Sequence, residues 1–301
     1  MGSYTMAKIF SATQFFNELD LLELRLETLD PVVDYFVISE STKTHSGKDK
    51  PLYYEQNKNR YKKFHHKIIH QIVNDTPGSI GEIWEKYITT GNIYMKKVID
   101  SDWFDKNVES FIRDTYEKEV LLRPISKQVN NKDIVLLGDL DEIPRPNKVF
   151  LLRECDFNNG EIYHFQNDMF YYYLNLQKVN ENWLGVIAST AEILFSKSHC
   201  RLRTEKSGTV IPNGGWHFTY QGNKDNVKLK IESFCHQELN KDNIKEGIGY
   251  NIENAIGLGK DLYGRPAQWK VRNINDGTFP RYLVENQEKY KEYIYGNDTK
   301  S

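Results

Sequence analysis

The apolar positions of the first forty residues repeat first with the period of a strand, then with that of a helix, then with that of a strand again. Lys8-Ile9-Phe10-Ser11-Ala12-Thr13 reads as a strand. Leu19, Leu22, Leu26 and Leu29 then recur at helical spacing, with Leu21 and Leu24 widening the apolar face. Asn17 is placed to cap that helix, with Asp20 in its first turn, and Asp30-Pro31 ends it. Tyr35-Phe36-Val37-Ile38 is a second apolar run, closing in Ser39-Glu40-Ser41. Strand, helix and strand with a short return make a βαβ unit with a right-handed crossover. A polar stretch over residues 42–50 reads as a loop above the strand ends, and residues 68–73 as a further strand. Helices are expected over about 82–99 and about 108–123. Trp84, Tyr87 and Ile88 supply the apolar face of the first, and Phe111, Ile112, Tyr116 and Val120 that of the second.

The run Asp133-Ile134-Val135-Leu136-Leu137-Gly138-Asp139-Leu140-Asp141-Glu142-Ile143-Pro144 changes the picture. Its apolar part is continuous rather than alternating, so it reads as a strand buried on both faces, running over 133–143. Three carboxylates and a proline then stand at the carboxyl end, which is where open α/β sheets bind ligands. Carboxylates at i and i+2 repel unless a cation joins them, and oxygen-only ligands suit Mg²⁺ or Mn²⁺. Such ions bridge to phosphates, so a nucleotide or phosphorylated substrate is expected; plain turn formation is the ordinary alternative. A short helix is expected near 148–154, and strands at 161–165 and 170–173, the last an aromatic run read as sheet core rather than sugar platform. Beyond Asn182 the pattern is less regular. Residues 228–238 read as a helix, with Val227, Ile231 and Phe234 on one stripe and Leu229, Ser233 and His236 on a neighbouring face. No linker divides the chain. A single domain is expected, with residues 7–145 binding nucleotide and residues 146–301 forming the acceptor-binding and helical part.

Composition narrows the classes. The 301 residues carry a net charge of −2, which gives little global attraction to nucleic acid or anionic membranes. The basic segment over 58–67 is read as a solvated face. The 19 Tyr and 15 Phe suit partly polar ligands such as sugars as well as cores. Cys155, Cys200 and Cys235 show no CxxC pair, which argues against a disulfide framework or zinc knuckle. No signal peptide and no membrane-spanning run is visible, and Gly2 lacks the context for myristoylation. A cytoplasmic chain of bacterial or viral type is expected, in which the sequons at Asn74 and Asn297 have no meaning.

Several motifs in one order carry a resemblance. They are Phe16-Asn17-Glu18-Leu19-Asp20-Leu21-Leu22-Glu23, Asp34-Tyr35-Phe36-Val37-Ile38-Ser39-Glu40-Ser41, and Gly47-Lys48 with Lys50-Pro51-Leu52-Tyr53. Asp139-Leu140-Asp141-Glu142-Ile143-Pro144, Gly215-Trp216-His217-Phe218-Thr219-Tyr220, Lys230 with Ser233-Phe234-Cys235-His236-Gln237-Glu238, and Gly259-Lys260-Asp261-Leu262 continue it. Together they resemble glycosyltransferase family 17. The resemblance implies an α/β fold of the GT-A (Rossmann-like) type, with a central, mostly parallel sheet flanked by helices. It implies an inverting, metal-dependent transfer from a UDP-sugar, N-acetylglucosamine or another hexose, to an acceptor hydroxyl on a glycan or other molecule.

The same resemblance assigns roles. Asp139 and Asp141 are expected to hold Mn²⁺ or Mg²⁺ against the diphosphate, with Asp141 the direct ligand and Asp139 nearer the ribose. His236 is expected as a third metal or phosphate contact. Glu40 is expected to accept from the uracil N–H and Asn17 to line the same pocket. Lys230 and Arg265 are candidate phosphate clamps. His217 is placed in the acceptor or donor-sugar pocket. The general base is open among Glu142, Asp168, His217 and Glu238, with Asp168 and His217 ranked first. Two rivals stand beside this reading. One is a phosphohydrolase of the haloacid dehalogenase type using Asp139 and Asp141. The other is a non-catalytic carbohydrate- or nucleic-acid-binding module.

Overall fold

The computed structural model describes residues 6–155, 157 and 160–296; Gly2 and the Asn297 sequon lie outside the described residues. β1 (Ile9–Phe15), α1 (Leu19–Leu29), β2 (Tyr35–Ser41) and β3 (Ile68–Val73) follow one another as the apolar pattern requires, with a helix not expected from it, α2 (Tyr53–Asn57), before β3. β1 runs parallel to β2 on one side and to β4 (Ile134–Leu137) on the other, and β3 extends the parallel set beyond β2. All four residues of β4 are buried. Ile134 and Leu136 join the core that holds the α1 leucines, while Val135 and Leu137 join a second core with Leu121, Leu122 and Leu194. Its unbroken apolarity therefore reflects cover on both faces.

Local chemistry sets the helix ends. Glu18, not Asn17, stands at the start of α1, and no side chain caps it. The helix expected over 82–99 is two, α3 (Ile80–Thr90) and α4 (Ile93–Ile99). Gly91, at φ +64°, ends α3 by donating its N–H to the Tyr87 carbonyl, and the Asn92 side chain accepts from the amides of Tyr94 and Met95 to start α4. α5 (Glu109–Glu119) passes into a 3₁₀ turn, Val120–Ile125, that carries Pro124.

The acidic run is a bridge between strands rather than the end of one. β4 stops at Leu137, and Glu142–Pro144 forms β5. α6 (Pro146–Leu151), β6 (Tyr163–Tyr171), β7 (Leu176–Thr190), α7 (Ala191–Ser196), α8 (His199–Glu205), β8 (Thr209–Thr219), α9 (Lys224–Ser233) and β9 (Trp269–Val271) follow. The sheet order is β3-β2-β1-β4-β7-β6-β8-β5, with β9 on β7. β7 is antiparallel to β4, β6 and β9, β5 is antiparallel to β8, and β6 is parallel to β8. The sheet is thus mixed, which corrects the expectation of a mostly parallel one. β6 and β7 are joined by a turn in which Tyr172 takes φ +64°; a hairpin can only be antiparallel, and this one is inserted between β4 and β8. Pro144 is tolerated in β5 because that strand lies at the sheet edge.

Two further expectations are corrected. The strands expected at 161–165 and 170–173 are the single β6. Asn167 and Asp168 are poor strand formers, but β7 and β8 pair with them from both sides and irregular registers absorb the misfit. The helix expected over 228–238 stops at Ser233, and Phe234 is extended (φ −78°, ψ 175°). Contacts to other segments hold the chain there: Ser46 N donates to the Ser233 carbonyl and Ser110 Oγ to the Cys235 carbonyl. No helix of the described residues is long and apolar enough to cross a membrane.

One buried charge fixes the bridge between β4 and β5. Arg25 of α1 is 1% exposed. Its guanidinium donates to the carbonyls of Asp139 (3.1 Å), Leu140 (3.3 Å) and Glu142 (2.6 Å) and to Ser11 Oγ (3.1 Å). Burial pulls its pKa down to about 10, against the pull of Glu142, Asp141 and Asp139. Gly185 of β7 completes the fit, because a Cβ there would lie 2.0 Å from Glu142 Oε1. Replacing Arg25 by Met keeps most of the volume and removes the guanidinium's bonds to three carbonyls, of which that of Asp139 still accepts from the Glu142 amide. Arg25→Met should cost about 3–5 kcal/mol in urea unfolding without a change of slope. A cost below about 1 kcal/mol would show that the guanidinium does not organise the acidic bridge.

Candidate active site

A cleft of about 760 Å³ opens at the carboxyl ends of β1 and β4. One wall comes from the end of β1 and the loop after β2, including Phe16, Glu18, His45 and Lys50. Asp139, Leu140 and Asp141 form its base. The other wall comes from β6, β7, α8, β8 and α9 and includes Tyr171, Trp183, Arg203, His217 and Lys230. The N-terminal βαβ unit and the later strands therefore meet across the acidic bridge.

Each carboxylate there is paired with a cationic side chain, Asp139 and Glu142 sharing one. Arg203 donates to both oxygens of Asp139 (2.8 and 3.1 Å) and to Glu142 Oε1 and Oε2 (2.9 and 2.8 Å). Glu142 is fully buried and also accepts from the Asp139 amide (2.8 Å) and from the Trp183 indole N–H. Lys230 Nζ lies 2.8 Å from Asp141 Oδ2 and 3.7 Å from Glu18 Oε1. His217 Nε2 lies 3.5 Å from Asp141 Oδ1, and Trp183 packs on the imidazole at 5.3 Å between ring centres. Burial works against ionising Asp139, but Arg203 and Lys118 hold its carboxyl well below the usual range. Asp141 is held low in the same way by Lys230 and His217. Glu142 is pushed up, first by burial, with Arg203 opposing and the neighbouring carboxylates adding to the shift. Burial disfavours the charged form of His217, yet Asp141 outweighs it and raises the imidazole above 6.5.

Of the residues singled out from sequence, Asp139, Asp141, His217, Lys230, His236 and Arg265 border the cleft. Arg265 is held by Asp261 (2.6 Å) and lies over the Tyr263 ring. His236 is exposed beyond the end of α9, paired with Glu238 (2.7 Å) and edge-on to Phe111. Asn17 lies instead in an adjoining cavity of about 330 Å³, which shares Glu18 and Lys230 with the cleft. Glu40 is fully buried, and its carboxylate accepts from the amides of Tyr54 (2.9 Å) and Glu55 (3.3 Å) at the start of α2, with Lys50 at 3.8 Å. Asp168 points away: its neighbours Met169 and Tyr171 border the cleft, whereas Asp168 pairs with Arg145 (2.9 Å) and Gln177 (3.4 Å) on the opposite face of β6.

Sequence reading missed Arg203, Trp183 and Arg25. Arg203 sits in Cys200-Arg201-Leu202-Arg203-Thr204-Glu205, where no local pattern separates it from Arg201. Only the packing of α8 against β7 turns it toward Asp139. Glu18 was legible, since it lies inside one of the motifs already quoted.

The acidic bridge has the chemistry of a hard divalent ion's site at Asp141. Asp141 borders the cleft, and its two oxygens are partnered by one imidazole and one ammonium, groups that can also bind phosphate. Asp139 fits less well, because both of its oxygens are taken by Arg203.

A family model described as glycosyltransferase family 17 matches residues 3–301. The chain is 20% identical over 321 residues to the beta-1,4-mannosyl-glycoprotein 4-beta-N-acetylglucosaminyltransferases of Rattus norvegicus and of Homo sapiens, covering 96% of this chain and 55% of each relative. It therefore spans about half the length of the curated relatives it matches. The inositol-1-phosphate CTP transferase from T. maritima is similar over 98% of this chain and 99% of its own, at 12% identity, but a TM-score of 0.32 carries no argument. By the match over nearly its whole length, the chain belongs to glycosyltransferase family 17.

Proposed function

We propose that this chain is a metal-dependent, inverting glycosyltransferase of GT-A-like arrangement. It moves a sugar, N-acetylglucosamine or another hexose, from a UDP-sugar to a hydroxyl of a glycan or other acceptor. Residues 7–145 serve the nucleotide, and residues 146–301 supply the acceptor side. The observation that carries the reading is the meeting of Asp141, Lys230, His217 and Arg203 in one cleft at the ends of β1 and β4. Family membership selects transfer over the phosphohydrolase and binding-module readings.

Asp141 is the residue to hold Mn²⁺ or Mg²⁺, and when bound the ion supplies Lewis-acid neutralisation of the departing diphosphate. Lys230 adds a second positive charge at the same point and exchanges its carboxylate partners for phosphate oxygens when the donor enters. Arg203 keeps Asp139 and Glu142 in place beneath it. Trp183 and Tyr220 border the cleft, and such rings suit the apolar faces of sugars. Inversion follows from a single displacement: the acceptor oxygen bonds to the anomeric carbon as the bond to the UDP oxygen breaks. The acceptor proton passes to a base in the cleft. Of the two bases ranked first, His217 borders the cleft and Asp168 does not.

Asp141→Asn should lower turnover roughly 10²–10³-fold and remove the Mn²⁺ dependence of UDP binding, while far-ultraviolet dichroism stays native. A thermal-shift screen of UDP-, GDP- and TDP-sugars should show stabilisation by the UDP-sugar with Mn²⁺. Full activity of Asp141→Asn would end this reading.

A pH prediction follows from His217. Its folded pKa is raised above the ordinary 6.5 by Asp141, so the pair's contribution is complete below pH 6.5 and is lost as pH rises through the folded value. Unfolding of the metal-free wild type, in chelator, should weaken across that window, and His217→Asn should remove that part of the slope. Identical pH slopes in the two proteins would contradict the ion pair.

A further inference from the structure

A second cluster stands on the cleft wall, built from segments that the acidic bridge does not use. His45 from the loop after β2, Asp114 from α5 and Cys235 from beyond α9 bring one ligand atom each within 4.8 Å of one another. His45 Nδ1 lies 3.6 Å from Asp114 Oδ1, and its Nε2 lies 3.3 Å from Glu117 Oε2. Glu117 is 7% exposed, and its other oxygen, Oε1, is buried with no hydrogen-bond partner. Lys118 pairs with Asp114 at 2.7 Å. His45, Asp114, Glu117 and Cys235 all border the cleft.

Contacts that do not involve the candidate ligand atoms hold the three segments together. Arg113 Nε donates to the His45 carbonyl (2.7 Å), Ser46 N to the Ser233 carbonyl (3.2 Å) and Ser110 Oγ to the Cys235 carbonyl (2.6 Å). A loop, a helix and a helix terminus are thus pinned where imidazole, thiol and carboxylate converge. Cys235 is not in a disulfide. A carboxylate oxygen buried without a donor is costly unless a cation reaches it.

We propose that His45, Asp114 and Cys235 bind a transition-metal ion of the zinc class, with Glu117 bonded to the His45 ring as its orienting partner and a coordination position open to the cleft. The donor set decides the metal. One imidazole nitrogen, one thiolate sulfur and one carboxylate oxygen match tetrahedral Zn²⁺ and exclude a preference for Mg²⁺ or Ca²⁺, which take oxygen alone. Three protein ligands leave a fourth position, which an anionic oxygen of a bound ligand can fill. The buried carboxylate against the imidazole is the arrangement that fixes a metal-bound histidine's tautomer. This site stands on its own residues and is separate from Asp139 and Asp141.

The test is cobalt substitution of the full chain after chelator treatment. One equivalent of Co²⁺ should give the intense visible bands of four-coordinate cobalt and a thiolate-to-cobalt band in the near ultraviolet. Cys235→Ser should abolish the thiolate band, and His45→Gln should weaken Zn²⁺ binding about 100-fold or more, with Glu117→Gln costing about 10-fold. Asp141→Asn should keep the full cobalt spectrum, so loss of the acidic-bridge reading leaves this result intact. A weak octahedral spectrum in the wild type would overturn the site. So would a thiolate band that survives Cys235→Ser, which would come from Cys155 or Cys200, or Zn²⁺ affinity unchanged in His45→Gln.

Discussion

A single buried guanidinium sets the geometry on which the cleft depends. Three carboxylates within four residues would repel one another and seek water if their backbone were free. Arg25 removes that freedom by binding three carbonyls of the Asp139–Glu142 bridge from below. The side chains then point to the far side, where Arg203, Lys230 and His217 meet them. The same bridge carries the chain from β4, where the parallel part of the sheet meets the antiparallel β7, to β5 at the sheet's edge. One local constraint thus sets both the topology and the charge pattern of the cleft.

The charge pattern explains how the acidic bridge can be stable and still take a charged ligand. Every acidic group on the bridge is matched by a protein cation, so folding does not require a bound ion. The matches differ in firmness. Arg203 holds Asp139 and Glu142 with four contacts and is a fixed part of the floor. Lys230 is shared between Asp141 and Glu18, and His217 stands at 3.5 Å. Those two are the groups held least firmly, and the ones the proposed donor and cation would redirect. Asp141 rather than Asp139 is therefore the exchangeable partner of the acidic pair.

Much of the parallel half was legible in the sequence because burial there follows periodicity. β4 reads as buried on both faces and is so, and β3 matches residue for residue. Three features escaped for physical reasons. Gly91 and Asn92 split one apolar helix pattern into two, since turn and cap chemistry override amphipathic spacing. Glu142–Pro144 left β4 because its pairing partner, β8, lies some seventy residues later in the chain, and no local window contains it. Asn167 and Asp168 stayed in a strand because neighbours on both sides outweigh intrinsic preference. In the cleft, motif residues such as Asp139, Asp141, His217 and Lys230 converge, while Arg203 and Arg25 carry no local signature. Side chains that act through backbone or distant carboxylates can be recognised only once the strands are placed.

The central claim is that Asp141 exchanges its protein partners for a cation that anchors a nucleoside diphosphate. Diffraction from a crystal grown with MnCl₂ and UDP, collected for the anomalous signal of manganese, tests it most directly. The account predicts a manganese peak bonded to an Asp141 carboxylate oxygen and to diphosphate oxygens, with Lys230 turned from Asp141 to phosphate. An occupied nucleotide with no manganese at Asp141, and Lys230 still paired to that carboxylate, would contradict it.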